Sequence, residues 1–320
     1  MKRVLITGAT GFVGRALCLS MEAAGWQVRA VSRSQGFQPI VSARVEYHQV
    51  KSINSETDWS GLLDGVSVVI HLAARVHIMQ DTATDPLKEF RRVNLYGTER
   101  LARQAAAAGV KRFVFMSTIG VNGDNSGSHP YTERDTPHPH NPYSVSKYEA
   151  ELDLEKIAAK TGMEVVVIRA PLVYGPGNPG NFLSLLRIVA KGVPLPFASL
   201  ANARSLVFVG NLVNALAACS IHPAAAGRTY LVSDGEDVST PYLIRRTARA
   251  LCVPTRLFPF PIQLMILAGK ATGKSAAVNR LTGSLTVDSS RIRDELGWQP
   301  PFSMEDGLRE TAEWFKKAKC

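Results

Sequence analysis

The chain has 320 residues, of which 45 % are hydrophobic and 20 % charged, and its formal net charge is +10. That balance excludes a disordered or collagen-like chain and leaves room for two modest domains, or one large α/β domain with an appendage. The longest apolar runs, such as Val165 to Ile168 and Leu264 to Ala268, fall far short of the roughly 20 residues that cross a bilayer.

In chain order, the branched residues of Arg3–Thr7 (RVLIT) predict a strand, and Phe12–Ala24 a helix stopped by Gly25. Strands follow at Gln27–Val31, Val45–Val50 and Val66–His71. Pro86–Ala108 reads as a long helix closed by Gly109, Arg112–Met116 as a strand, Tyr143–Lys160 as a helix closed by Gly162, and Glu164–Ile168 as a strand. Strands apolar on both faces and separated by helices predict an α/β fold, a Rossmann-type doubly wound parallel sheet. After about residue 170, Pro and Gly cluster at 171–179 and 192–196 and strands thin out. We therefore expect a dinucleotide-binding domain over 1–170 and a smaller substrate lobe over 171–320. The two should interleave, because 229–232 (TYLV) can return to the first sheet within a segment near 205–235. Phe258–Ala268 (FPFPIQLMILA) is apolar at helical spacing and reads as packing in the second lobe, with a membrane-touching patch as the unsupported alternative. Glu305–Lys317 is an amphipathic final helix.

Between the first strand and first helix, Gly8, Gly11 and Gly14 have the spacing G-x-x-G-x-x-G. Gly8 permits a tight turn, Gly11 a close approach of backbone to a pyrophosphate, and Gly14 close packing of helix on sheet. The helix N-terminus then offers free N–H groups to phosphates. At the end of the second strand an acid would bind a ribose 2′-hydroxyl, and an Arg a 2′-phosphate. Here the residues are Ser32 and Arg33, with Arg15 just past the last glycine able to assist, which favours NADP over NAD.

Tyr143 and Lys147 lie four apart at a helix start, so they share a face. A phenol has an ordinary pKa of about 10, and a neighbouring ammonium is expected to lower it into the range for proton transfer. A hydroxyl at the tip of the preceding strand would polarise the same substrate oxygen; Ser117 and Thr118 are both candidates.

These pieces resemble an extended short-chain dehydrogenase/reductase of the nucleotide-sugar epimerase, dehydratase and reductase group. The resemblance spans nearly the whole chain: TGATGFVG at the start, His71-Leu-Ala-Ala74, Asn94-Leu-Tyr-Gly-Thr98, MSTIGVNG at 116–123, YSVSK at 143–147, RAPLVYGP at 169–176 and Leu296-Gly-Trp298. It implies Thr118, Tyr143 and Lys147 as the catalytic set, with Ser117 and Arg75 touching substrate. It further implies cofactor contacts from the glycine turn with Thr10, Phe12 and Val13, from Leu72, Ala73, Ala74 and Asn94, and from Pro171 and Val173, with Leu172 bordering the sugar. Asn181 and Arg204 would hold a uridine diphosphate. Three departures stand out: Ser32, Leu172 and Asn211 occupy positions where 4-epimerases have Asp, often Asn, and Asp respectively.

The nearest subgroup acts in polysaccharide and O-antigen (lipopolysaccharide) assembly. The expected reaction is NADPH-dependent reduction of a UDP-4-keto-6-deoxy-N-acetylhexosamine, with an NAD-dependent UDP-hexose or UDP-N-acetylhexosamine 4-epimerase as the alternative. A non-catalytic dinucleotide-sensing regulator would lack Tyr143 or Lys147. A nucleic-acid binder would show a basic cluster, whereas Lys and Arg read as spread along the chain. The opening residues carry no export signal, and the four cysteines form no C-x-x-C pair. A cytoplasmic protein is therefore expected, without metal despite His129, His138 and His140. The family resemblance implies a homodimer through the helices beginning near Pro86 and Tyr143, with Leu101 and Leu152 on their outward faces. His71, Arg75 and His77 after the fourth strand read mainly as solvated loop residues.

Overall fold

Described in the computed structural model are residues 2–33, 43–76, 84–273 and 275–318. The chain runs β1 (Arg3–Thr7), α1 (Phe12–Ala23), β2 (Gln27–Ser32), β3 (Val45–Gln49), α2 (Ser60–Leu63), β4 (Val68–His71) and α3 (Pro86–Arg91). A π-helical turn (Arg92–Tyr96) links α3 to α4 (Gly97–Ala107), so the long predicted helix is present with a bulge at its centre. There follow β5 (Arg112–Thr118), a 3₁₀ turn (Ile119–Val121), α5 (Pro142–Thr161), β6 (Glu164–Ala170), β7 (Leu172–Tyr174), α6 (Asn181–Ala190), β8 (Arg204–Phe208) and α7 (Val209–Ile221). The chain closes with β9 (Thr229–Leu231), β10 (Asp237–Val238), α8 (Thr240–Leu251), α9 (Ile262–Ala271), α10 (Ser275–Thr282), α11 (Ser290–Leu296) and α12 (Met304–Lys317).

Seven strands form a parallel sheet in the order β3-β2-β1-β4-β5-β6-β9. Its strands are apolar on both faces because each face carries a core. Val4, Ile6 and Val114 pack with α1 and α7 residues such as Leu17 and Leu212. Leu5, Val69, Phe113 and Phe115 pack with Leu101, Leu154 and Ile157 on the other side. The strand order reverses between β1 and β4, and in such sheets ligands bind at the carboxyl ends beside that reversal. A second small sheet, β10-β8-β7, lies in the C-terminal half. β9 comes from that half, yet pairs with β6 in the large sheet.

Three expectations need correcting here. Ser117 and Thr118 do not follow β5; they are its last two residues, paired with Arg169 and Ala170 of β6. Leu101 does not face outward: it is fully buried under the sheet, while Leu152 is exposed. And the apolar run of α9 is not core. Only Met265 and Gly269 of that helix are buried; it packs on α10, with Gly269 against Val278.

Asn211, where an acid is expected, is wholly buried. Its amide donates to Asp234 Oδ1 (2.7 Å) and the Phe302 carbonyl (2.9 Å), and its own carbonyl accepts from Phe302 N (2.9 Å). An Asp at this position could not donate to Asp234 and would set two buried carboxylates together, which explains the Asn.

Candidate active site

The glycine turn sits at the carboxyl end of β1. Gly8 has φ +69° and lies against β4's exit: a Cβ there would meet Ala73 N at 2.9 Å. Gly11 N bonds Gly8 O (2.9 Å) to close the turn. At Gly14 a Cβ would fall 2.1 Å from Gly8 O, so only glycine lets α1 start this close. No side chain caps α1, so its first N–H groups and positive dipole end are available to an anion. Thr10, Phe12 and Val13 are half-buried around this end and Gly11 is exposed. A turn with glycine at its two ends, an uncapped helix start and a crevice at the strand reversal together fit a dinucleotide pyrophosphate. Leu72, Ala73 and Ala74 follow β4 along the same edge, Ala73 buried and the other two half-buried. Ser32 is buried at the end of β2, its carbonyl accepting from Val50 N (3.0 Å), and Arg33 is exposed.

Beneath the crevice runs a chain of hydrogen bonds with one direction. Thr98 Oγ1 donates to the Asn94 carbonyl (2.7 Å), so it must accept from His71 Nε2 (3.0 Å). Nδ1 of a neutral His71 is then an acceptor, filled by Thr7 Oγ1 (2.6 Å), which itself accepts from Ala73 N (3.2 Å). A protonated ring has no place in this order. Burial and the Lys147 ammonium accordingly push His71 down to about 3. His71 is thus a fully buried structural residue, not a solvated one. His77 lies outside the described residues.

Asn94 belongs to the π turn and is completely buried. Its carbonyl oxygen accepts from Arg75 N (2.8 Å); its amide donates to Arg75 O and to Ser146 Oγ (both 3.0 Å). These bonds tie the loop after β4 to α5, the supporting place that the family resemblance implies for Asn94. The Arg75 guanidinium lies over Phe90 (5.4 Å), whose ring meets that of Tyr143 edge-on (6.1 Å).

α5 starts sharply. Asn141 accepts from Ser144 N (2.9 Å), Ser144 Oγ accepts from Asn141 N (3.1 Å), and Pro142 takes the first helical position. Tyr143 and Lys147 therefore stand one turn apart on a fixed helix start. Lys147 is 1 % exposed, with Nζ 3.9 Å from the Phe115 ring centroid. Burial holds its ammonium down to about 7, opposed by Glu151 one turn further on. Burial also raises the Tyr143 phenol to about 12. This corrects the expected lowered phenol. Removing the two groups from water disfavours both charged forms, which moves the phenol up and the ammonium down.

Of the two strand-tip hydroxyls, Thr118 is half-buried and begins the 3₁₀ turn, its Oγ1 accepting from Gly120 N (3.2 Å). That turn packs on α5: a Cβ on Gly120 would lie 3.3 Å from Ser144 Cβ and 3.5 Å from Thr118 Oγ1. Thr118 and the first turn of α5 thus share one place. Ser117 points the other way, because neighbouring strand residues face opposite sides. It is buried and donates to Glu151, so its expected contact with substrate is overturned. Glu151 is in turn held by Arg169, NH2 to Oε2 at 2.6 Å, and Arg169 NH1 reaches Asn122 Oδ1 (3.0 Å). Sequence reasoning missed Glu151, although its spacing from Tyr143 and Lys147, two turns and one turn, was the available signal.

On the far wall, Pro171 is buried, Val173 half-buried and Leu172 exposed. Asn181 is exposed as the first residue of α6, and half-buried Arg204 reaches the Gly283 carbonyl (3.2 Å). Two clefts of about 460 and 400 Å³, lined by residues such as Glu133, Asp288 and Arg293, contain none of the site residues named above. No group of side chains suited to a metal occurs among the described residues, and no described helix is long and apolar enough to cross a membrane.

Comparison with known proteins agrees with this geometry. A UDP-glucose 4-epimerase of Vibrio cholerae is 44 % identical over 99 % of this chain and 96 % of its own. An N-acetyl-alpha-D-glucosaminyl-diphospho-ditrans,octacis-undecaprenol 4-epimerase of Escherichia coli O157:H7 is 26 % identical over 97 % and 94 %. The solved structure of MoeE5 in complex with UDP-glucose and NAD superposes with a TM-score of 0.79 at 25 % identity, over 99 % of this chain and all of that one. Residues 4–233 match the pattern of the NAD dependent epimerase/dehydratase family, and the chain belongs to that family.

Proposed function

We propose that the protein is an NAD-dependent 4-epimerase of a UDP-linked hexose or N-acetylhexosamine. The observation that carries the reading is the extent of the likeness to the Vibrio cholerae UDP-glucose 4-epimerase, 44 % identity over 99 % of this chain. It displaces the reductase expected from Ser32 and Arg33 as the main reading. A bound nicotinamide dinucleotide supplies a hydride acceptor that returns the hydride. In this proposal the glycine turn and the start of α1 hold its diphosphate, Ala73 and Ala74 wall the crevice, and Lys147 orients the ribose. Tyr143 moves the proton at the sugar 4-oxygen, and Thr118 donates a hydrogen bond to that oxygen. Asn181 and Arg204 hold the uridine diphosphate, and Pro171, Leu172 and Val173 border the sugar. A homodimer through α4 and α5 belongs to the same proposal.

The test is incubation of the purified protein with UDP-glucose or UDP-N-acetylglucosamine and a trace of NAD, followed by chromatography of the nucleotide sugars. Appearance of the C4 epimer without net change in near-ultraviolet absorbance is expected, and Tyr143→Phe should reduce it at least about 100-fold. No epimer with any UDP-hexose tested would overturn the reading. The absence of a carboxylate at Ser32-Arg33 supports a second reading, reduction of a UDP-4-keto-6-deoxy-N-acetylhexosamine by NADPH. Stoichiometric NADPH consumption with that substrate would favour it.

A further inference from the structure

The least expected feature of the second lobe is an apolar surface left exposed among the described residues. In α9, Leu264 is 50 % and Leu267 62 % exposed, with Ile266 exposed between them. Phe258, just before the helix, is exposed as well. The segment 256–258 is bonded to the one after α6, Leu195 N to Arg256 O (2.8 Å) and Phe258 N to Leu195 O (3.1 Å). Singly exposed apolar side chains are ordinary; a helix apolar nearly all round and buried at two positions is not.

The charge around it has one sign. Between residues 238 and 287 there are seven Lys and Arg residues and not one Asp or Glu. This stretch alone holds most of the chain's +10, so the basic residues are less evenly spread than a first reading suggests. Arg246 is neutralised by Glu236 and Glu305, which belong to other segments. Arg256 and Lys270 flank the apolar residues and are exposed, as is Lys191 at the end of α6.

We propose that the face built by α9 and the segment preceding it docks on an anionic lipid bilayer, lying in the interface plane without crossing it. Apolar side chains enter the headgroup boundary while the flanking cations meet lipid phosphates, the combination that defines interfacial helices. A second copy of the chain is a poorer occupant, since joining two such faces brings the exposed Arg256 and Lys270 of one copy towards those of the other. The proposal goes beyond the epimerase reading and does not depend on it.

The test is flotation of the full chain with vesicles of phosphatidylcholine mixed with phosphatidylglycerol, against pure phosphatidylcholine. The protein should float with the anionic vesicles and stay behind with the neutral ones. Leu264→Glu combined with Leu267→Glu should abolish flotation. Arg256→Gln with Lys270→Gln should weaken it about 25-fold, some fivefold per cation. Leu19→Glu, an exposed apolar position on α1, should change nothing. Circular dichroism and epimerase activity serve as controls for folding. The proposal is overturned if the wild-type chain does not float, if the paired Leu variants still float, or if those variants instead split an oligomer seen by sedimentation without lipid.

Discussion

Glu151→Gln probes the support of the site without touching it. The carboxylate is buried and accepts from Ser117 Oγ and from Nε and NH2 of Arg169, itself 6 % exposed. An amide of the same shape still accepts at one oxygen but no longer carries the charge that balances the buried guanidinium, which Asn122 also contacts. Breaking one side of such a pair costs about 3–5 kcal/mol. A chain of 320 residues has an unfolding entropy of roughly 0.7 kcal/mol/K, so the melting temperature should fall by about 5–8 °C. Replacing both partners, Glu151→Leu with Arg169→Leu, removes the stranded charge, so the two single effects should exceed the double by at least about 2 kcal/mol. The change also removes the one negative charge that favours the Lys147 ammonium. Along a helix face, at about 6 Å and an effective dielectric near 20, that interaction is worth about 3 kcal/mol, or about two pH units. Lys147, near 7 in the wild type, should then lose its proton at lower pH. Turnover at neutral pH should drop and recover in mild acid. Scanning fluorimetry and a pH–rate profile read the two effects. A melting shift below about 2 °C, or strictly additive single and double changes, would refute the stranded-charge reasoning.

Ser117→Ala and Thr118→Ala separate two adjacent hydroxyls: the first should lower melting by about 2–4 °C through its lost bond to a carboxylate, with turnover nearly intact, and the second should lower turnover at least about 100-fold. Equal turnover losses would return Ser117 to the site. Gly14→Ala, whose Cβ would meet Gly8 O at 2.1 Å, should weaken NAD binding about ten- to hundredfold in a nicotinamide fluorescence titration; unchanged affinity would remove the glycine turn from the cofactor site. His71 is held near 3, below its ordinary 6.5, so the unfolded chain binds the extra proton and stability falls as pH drops below about 6.5, by about 1.4 kcal/mol per pH unit from this group. Urea titrations from pH 6.5 to 4.5 should show that slope shrink in His71→Asn, and an identical slope would refute the neutral-ring assignment.

What the sequence disclosed follows from range. The glycine turn, the tyrosine and lysine one turn apart, and the buried strands depend on neighbours within a helix turn or a strand, so spacing reveals them. The facing of Ser117 depends on β5 continuing two residues further, beside Arg169 and Ala170 of β6, which no local pattern states. The partners of Asn94 depend on a π turn, invisible in periodicity, that puts its amide on Arg75 and Ser146. The phenol's raised pKa follows from burial by Phe90 and its surroundings, not from the motif. The apolar run at 258–268 failed for the opposite reason: its periodicity is that of a core helix, and only the fold reveals that Met265 and Gly269 alone of α9 are buried.

The pairing of β9 with β6 has a bearing on synthesis. While a ribosome is still producing the chain, strand β6 hangs as a bare border with unmet amides and carbonyls until residues 229–231 emerge and seal it. Some sixty residues, including all of α6 and α7, must leave the exit tunnel in that interval. Nascent copies halted there would present a sticky ribbon to one another, which makes this stretch of translation the moment at which a holding chaperone matters most.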